Sequence, residues 1–431
     1  MANVQARRKP LVGSRTSSPV AALDIGCSKI TCLIGRNDGT GPSNFQILGA
    51  GRQQSRGFSG GTITDMQGLE RSIRLAVEDA EREAGEQINQ VMLGITGPKL
   101  NCQLVTATTE IGAREVTPKD IRRVQAQAMA QISTKGSDVL AAWPVAYRVD
   151  AQEGVREPAG MYADTLGLML SVVTAPKSIV RNLVECVGRA HLSVDALIPS
   201  SIASGAGTLI DDEIENGAIC IDMGAGVTAV SVYLNGSPAW LGLIPAGGTH
   251  VTSDIAQGIG TTFAAAERLK SVYGTANLEG PGLAERIEAP RLGDDGRLQA
   301  TRMERGKLAE IIAPRVEEIF EYVQQTLQGS GVRKVLPRRV VLTGGASQLP
   351  GVRDVATRIL EAQVRLGRPT NAEFLGETLG TPAFSTASGL LLYPELGFAD
   401  AVRAGIASKE YGAEARSGAV NKAFHWLKEN F

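Results

Sequence analysis

Histidine is nearly absent from this chain: among 431 residues there are 3, His191, His250 and His425, each isolated. A His-based metal centre or a Ser-His-Asp triad is therefore not expected. The 5 cysteines (Cys27, Cys32, Cys102, Cys186, Cys220) are odd in number and show no C-x-x-C spacing. That excludes a disulfide framework and a thiolate zinc site, and reads as reduced core residues. Aromatic residues make up only 4% of the chain, so its cores must be aliphatic. No run approaches the ~18 consecutive apolar residues of a spanning helix. No apolar stretch follows the basic Arg7-Arg8-Lys9, as it would in a signal peptide. With a net charge of -1, no global basic field draws the protein to nucleic acid. What remains is a cytoplasmic globular protein, and its length predicts two or more domains.

What the chain does have is one hairpin signature twice. The first copy is Asp24-Ile25-Gly26-Cys27-Ser28-Lys29-Ile30-Thr31 and the second is Asp222-Met223-Gly224-Ala225-Gly226-Val227-Thr228. Each follows an apolar run, Val20 to Leu23 or Ala218 to Ile221, and so reads as strand, tight turn, strand. Glycine lets backbone N–H groups approach a phosphate, because no Cβ intervenes. An aspartate ending the preceding strand can hold Mg²⁺ through water. Two such hairpins on opposite walls of a cleft would grip one triphosphate, with Asp24 and Asp222 toward the metal. Either copy taken singly is also an ordinary β-turn.

Along the chain, helical spacing from Asp65 predicts a helix to about Ala84. Residues 87 to 175 differ in texture, with strand-like runs Val91–Thr96, Gln103–Ile111, Val139–Val149 and Leu166–Ala175. Thr117-Pro118-Lys119-Asp120 among them has the Thr cap and first-turn Pro of a helix start. This β-β-α-β-β-like block reads as a separate subdomain. Helices are expected from Pro176, over Ser200–Ile210, from about Thr249 behind Gly247-Gly248, and over Ala264–Val272. A less structured stretch covers 274–296. A long amphipathic helix spans about Arg302–Leu327, bent at Pro314. Arg339 to Gly351 is strand, glycine pair and helix entry. Gly344 and Gly345 would let an adenine lie flat on backbone, with Ala346 and Gln348 closing over the ribose. Thr381 to Gly389 starts a small-residue helix suited to close packing across a hinge.

Asp-hairpin, helix, second Asp-hairpin, then strand-Gly-Gly is the order of the actin, heat-shock-chaperone and sugar-kinase ATPase superfamily. Within it the chain resembles the FtsA family of bacterial cell-division proteins. VAALDIGCSKITCLIG, SRGFSGGTITD, YRVDAQEGVREPAGM, HVTSDIAQGIGTTFAAAERLK, KLAEIIAPRVEEIF and VVLTGGASQLPGV carry the resemblance across about residues 20 to 395. It implies an α/β actin-like (ribonuclease H-like, duplicated) fold of two lobes and four subdomains around a nucleotide cleft, with an FtsA-type inserted subdomain. The implied division is as follows. Residues 1–19 form a disordered tail; 20–86 with 176–206 and 383–395 form the first lobe core; 87–175 form the insert. Residues 207–246 with 328–382 form the second lobe core, 247–327 its outer subdomain, 396–418 a linker and 419–431 a terminal helix.

The resemblance further implies binding of ATP with Mg²⁺, head-to-tail self-polymerisation, and attachment of the FtsZ ring to the cytoplasmic face of the membrane at the division site. The partners so implied are the C-terminal tail of FtsZ, other copies of the chain, membrane lipid and later division proteins. Glu267 and Lys270 match the family's adenosine-contacting pair. The implied nucleotide contacts are Gly26, Cys27, Ser28, Lys29, Gly224, Ala225, Gly226, Gly247, Gly248, Gly344, Gly345, Ala346 and Gln348. Arg315 and Glu318 lie in the segment matching the FtsZ-binding surface, although each taken alone reads as a solvated helix face.

Two departures from the superfamily pattern bear on turnover. Ala229 stands where hydrolytic members carry a second aspartate, and Ile198-Pro199-Ser200-Ser201 supplies no Glu or Gln to orient water. Transfer to water needs an oriented nucleophile as well as stabilised phosphate charge, so at most slow hydrolysis is expected. The alternatives are a small-molecule kinase, for which no acceptor-activating aspartate stands out, and a pilus-assembly adaptor, disfavoured because the FtsA-like segments run through the insert.

At about 100° per residue, Val420, Ala423, Phe424, Leu427 and Phe431 share one face of the terminal segment, with Trp426 at its edge. The segment is nearly neutral, so insertion of that face must supply most of any lipid affinity. One copy would hold weakly and a row of copies on a polymer well. A helix docked on its own core is the other reading of the same stripe.

Overall fold

The computed structural model describes residues 19–37, 45–370 and 372–395. Most of the N-terminal tail, and all of the linker and the terminal helix expected from the sequence, lie outside them. The first half opens with β1 (Val20–Ile25), β2 (Lys29–Asn37) and β3 (Phe45–Gln54). A small hairpin, β4 (Phe58–Ser59) and β5 (Thr62–Ile63), leads to α1 (Met66–Ala84) and β6 (Gln90–Ile95). Asp65 caps α1 by accepting from Gln67 N, and Gly85 ends it in the left-handed region at φ 67°. The helix therefore starts one residue later than its periodicity suggests.

The strand expected at Val91–Thr96 as the first of the separate block is β6, which pairs in parallel with β1 and β11 (Ser193–Pro199) and so belongs to the first sheet. The block itself follows as β7 (Asn101–Glu115), α2 (Pro118–Met129), β8 (Ser137–Val149), β9 (Gln152–Val155) and β10 (Tyr162–Pro176). Its antiparallel sheet has the order β7-β10-β8-β9, with α2 packed on it. Thr117 and Asp120 form the capping box expected from the sequence. Asp120 is buried and also takes both nitrogens of Arg114, at 2.7 and 2.8 Å. The chain then returns through α3 (Lys177–Arg189), β11 (Ser193–Pro199) and α4 (Ser200–Thr208), the last shorter than its small-residue pattern suggests.

The second half runs α5 (Asp211–Asn216), β12 (Ala218–Met223), β13 (Thr228–Leu234), β14 (Ser237–Ile244), α6 (Gly248–Ile259) and α7 (Phe263–Tyr273). The stretch expected to be loose contains the short strands β15 (Arg286–Glu288) and β16 (Arg291–Leu292), which pair with β18 (Arg302–Glu304) and β17 (Leu298–Gln299) respectively. Next come α8 (Arg305–Gln328), β19 (Arg339–Thr343), α9 (Val352–Leu360), β20 (Gln363–Leu366), α10 (Ala372–Leu379) and α11 (Ser385–Leu392). The residues expected to begin the long helix, Arg302 to Glu304, are thus a strand, and Pro314 lies inside α8 without interrupting it.

The two main sheets repeat one topology. The first has the order β11-β6-β1-β2-β3 and the second β14-β13-β12-β19-β20. In each, three antiparallel strands in sequence are extended by two parallel ones. The duplicated hairpin is therefore the visible part of a duplicated half-molecule. One core gathers Leu23, Leu33, Ile73, Leu93 and Val180, the other Ile221, Val230, Ile255, Ile312 and Phe320.

The inserted sheet has its own core of Val124, Leu166, Leu168 and Leu170, yet it is rooted in both others. On β8, Ala141 and Trp143 join the first core and Val145 the second, while Ala142 faces inward to the insert. Alternation of side chains explains this much. A register shift follows, in which Leu170 pairs with Pro144 and Met169 with Ala146, so Val145 is an extra residue. That bulge switches parity and turns Tyr147 and Val149 back into the insert's core.

Candidate functional site

Both hairpins bring an aspartate to the end of a central strand and close the following turn alike. Gly26 N donates to Lys29 O at 3.1 Å, and Gly224 N to Val227 O at 3.0 Å. A Cβ on either glycine would stand 2.9 Å from that carbonyl oxygen, so the turn is this tight only with glycine there. Asp24 pairs across its hairpin with Thr31, and Asp222 with Ala229. The position read as missing an aspartate is therefore directly opposite Asp222.

A glycine lies beside each aspartate, in or just after the neighbouring parallel strand; Gly344 is needed to make room for its carboxylate, while Gly94 leaves only ordinary contact. A Cβ on Gly94 would lie 3.6 Å from Asp24 Oδ1; one on Gly344, at φ +88°, would lie 2.3 Å from Asp222 Oδ1. Gly344 thus serves the aspartate as well as any ring stacked on the glycine pair. The two turns also meet each other, since a Cβ on Gly226 would be 2.8 Å from Cys27 Sγ.

Electrostatically the pair is only partly compensated. Burial raises the Asp24 carboxyl to about 7, the nearby charge of Asp222 adds to this, and Lys29 opposes it. Asp222 is raised by burial as well, against hydrogen bonds from Thr386 and Ser204 and the charge of Lys29. Burial lowers Lys29 to about 8 despite Asp24. Two carboxylates that resist ionising beside each other suit a divalent cation. Among the described residues no group of three His, Cys, Asp or Glu could hold a metal. Mg²⁺ fits such a set, because it retains waters and takes one or two carboxylates plus substrate phosphates.

Glu267 and Lys270 come together with the second glycine pair. Lys270 Nζ lies 2.7 Å from Glu267 Oε2, 2.9 Å from Thr252 Oγ1 and 3.0 Å from Gly248 O. A Cβ on Gly248 would be 3.2 Å from that of Ala346, so the α6 entry and the Gly344-Gly345 turn line one spot. Gly247 and Gly248 do not offer their N–H groups there. Gly248 N and Thr249 N donate to Gly224 O and Ala225 O at 3.0 and 2.8 Å, and Gly247 N donates to His250 Nδ1. They brace the second hairpin. Gln348 is exposed at the rim, with Nε2 3.4 Å from Gly345 O.

Sequence reasoning overlooked Thr386, Ser204 and Phe384. Thr386 donates to Asp222, Ser204 is a polar neighbour of that carboxylate, and the Phe384 ring receives the Lys29 ammonium. No spacing signal links these residues; only the folding of the hinge segment onto both hairpins does. Arg315 and Glu318 stand apart from the cleft. Arg315 joins α8 to Asp254 of α6, at 2.6 and 3.0 Å, and also pairs with Glu318. Val420, Phe424, Trp426, Leu427 and Phe431 lie outside the described residues.

Residues 219–389 match the family described as cell division protein FtsA, and residues 97–174 match the SHS2 domain inserted in FtsA. A cell division protein FtsA of Agrobacterium fabrum is 39% identical, over 99% of this chain and 97% of that one. Those of Pseudomonas aeruginosa and Escherichia coli K12 are each 33% identical, over 96% of this chain and 98% of theirs. Among solved structures, a chain of the PilM-PilN type IV pilus biogenesis complex superposes with TM-score 0.61 at 16% identity, over 87% of this chain and 98% of that one. MreB5 of Spiroplasma citri bound to ADP gives 0.54 at 10% identity, over 88% and 96%. These likenesses show the actin-like fold.

Proposed function

The chain belongs to the FtsA family of cell-division proteins, and from that premise we propose that it clamps Mg²⁺-ATP between its lobes to control its own assembly. The observation that carries the reading is the facing pair Asp24 and Asp222, set by one repeated turn in two copies of one sheet. Asp24 and Asp222 would hold Mg²⁺ through water. Backbone N–H groups of residues 27–28 and 225–226 would bind phosphate oxygens, with Lys29 beside them, whereas the N–H groups of Gly26 and Gly224 close their own turns. Glu267 and Lys270 would take the ribose and adenine side, over Gly344, Gly345 and Ala346. The bound Mg²⁺ supplies charge neutralisation for the phosphates.

Turnover is slow in this account. Neither Ala229, opposite Asp222, nor Ser200 and Ser201, at the end of β11, offers a carboxylate or amide to orient water. Nucleotide then acts by holding the lobes in one relation. Copies polymerise head to tail, the 419–431 segment inserts its apolar face in the cytoplasmic leaflet at the division site, and the surface around Arg315 and Glu318 takes the FtsZ tail. Later division proteins join the assembled polymer. The seven-part division of the chain drawn from its resemblance goes with this proposal, with β6 moved from the insert to the first lobe core.

Co-pelleting with liposomes, with and without Mg²⁺-ATP, tests it. Full-length protein is expected to pellet in an ATP-dependent manner and protein lacking 419–431 to remain in solution. Equal pelleting by both forms would overturn the tether, and ATP-independent pelleting the coupling.

A further inference from the structure

Lys29 is the residue whose carbonyl closes the first phosphate turn, and its side chain does not reach into open solvent. Its Nζ lies 3.3 Å from the centre of the Phe384 ring, well inside the distance at which an aromatic face attracts an ammonium. Phe384 is 3% exposed and ends the turn Pro382–Phe384 that enters the hinge helix α11. The same short segment also touches the Gly344 turn, the end of β19 and the second hairpin. Pro382 O accepts from Gly344 N at 3.2 Å, Ser385 Oγ lies 2.7 Å from Thr343 Oγ1, and Thr386 binds Asp222. Phe384 is its contact with the first hairpin.

Building on the nucleotide reading above, we propose that Phe384 is a positioning residue: its ring holds Lys29, and the phosphates of a bound nucleotide must draw the ammonium off it. Ring and phosphate then compete for one ammonium. The segment carrying Phe384 continues into α11, so surrender of Lys29 also changes what the hinge helix grips, and phosphate occupancy is reported there directly. A ligand without phosphates leaves Lys29 on the ring.

The test is a series of full-length proteins carrying mono-, di- and trifluorinated phenylalanine at position 384, titrated with ATP and with adenosine by calorimetry. Fluorine drains the negative face of the ring while nearly keeping its shape, so packing is held constant. ATP affinity is expected to rise stepwise, by about tenfold at the trifluoro ring, the size of a desolvated cation–π contact. Adenosine affinity is expected to stay the same across the series. A flat or falling ATP series, or an equal rise for adenosine, would overturn the proposal. Unmodified protein that binds no ATP would instead remove the nucleotide reading itself. Phe384→Leu, checked for an unchanged melting midpoint, should bind ATP as tightly as the trifluoro protein; weaker binding in that folded variant would also count against competition.

Discussion

Thr386 Oγ1 donates a 2.9 Å hydrogen bond to Asp222 Oδ2 and so joins the hinge helix to the aspartate of the second hairpin. Thr386→Val keeps the shape and removes the donor. A hydrogen bond to a charged group contributes about 1.5–3 kcal/mol, so Mg²⁺-ATP affinity should fall at least roughly tenfold. Thr386→Ser should restore it. Calorimetric titration of both variants decides the matter, and an unaltered Thr386→Val would show that the bond does not orient Asp222.

Gly226 faces Cys27 where the turns of the two hairpins meet. Gly226→Ala would place a methyl 2.8 Å from Cys27 Sγ, and overpacking of this kind costs about 1–3 kcal/mol. Cys27→Ala removes the sulfur and leaves Cβ at 3.1 Å, so the double variant should recover part of the loss. Denaturant melts of the four proteins in the cycle measure the coupling. Additive losses would mean that the turns part without resistance.

The hinge allows no such relief. A Cβ on Gly389 would lie 1.7 Å from Ala203 O, a backbone atom of α4 that cannot step aside. Gly389→Ala should therefore force α4 and α11 apart and destabilise the chain by several kcal/mol. The check is its melting midpoint against that of Gly188→Ala, where an added methyl meets nothing within 4 Å.

Acid sensitivity should map to the insert. The Arg114 guanidinium beside Asp120 holds that carboxyl well below the usual carboxylate range, helped by Thr117 and opposed by burial. A depressed folded pKa stabilises in full above the unfolded value of about 3.9, and the contribution drains away as pH falls from there toward the folded pKa. Arg114→Gln should melt lower than the parent at pH 7, with the gap closing progressively below about pH 4. A gap independent of pH would assign the effect to packing.

The sequence made the aspartates, their turns and the α2 cap legible because each is a local pattern, a repeated turn or a Thr-Pro cap. The start of the insert was misread, because a strand's own residues do not say which sheet it joins, and Val91–Thr96 pairs as β6 with β1 and β11. Its limits were set by contacts between distant segments. Thr386 and Asp222 are 164 residues apart, and nothing near either one predicts the other. The extra residue at Val145 escaped notice because a bulge shows only against its partner strand. Arg302 to Glu304 matched helical periodicity but pair with β15, a case of tertiary pairing overriding a local preference.

The insert touches the second lobe as well as the first: Val145 sits in the second core, Asn235 Nδ2 reaches Val145 O at 3.4 Å, and Arg156 pairs with Glu215. The crossing of α4 and α11 at Gly389 is thus not the sole link between the halves, which also meet along this remote seam. Any swing of one lobe must either slide that seam or drag the insert along, so a neighbour that pulls on the insert from outside gains leverage over how far the cleft can gape.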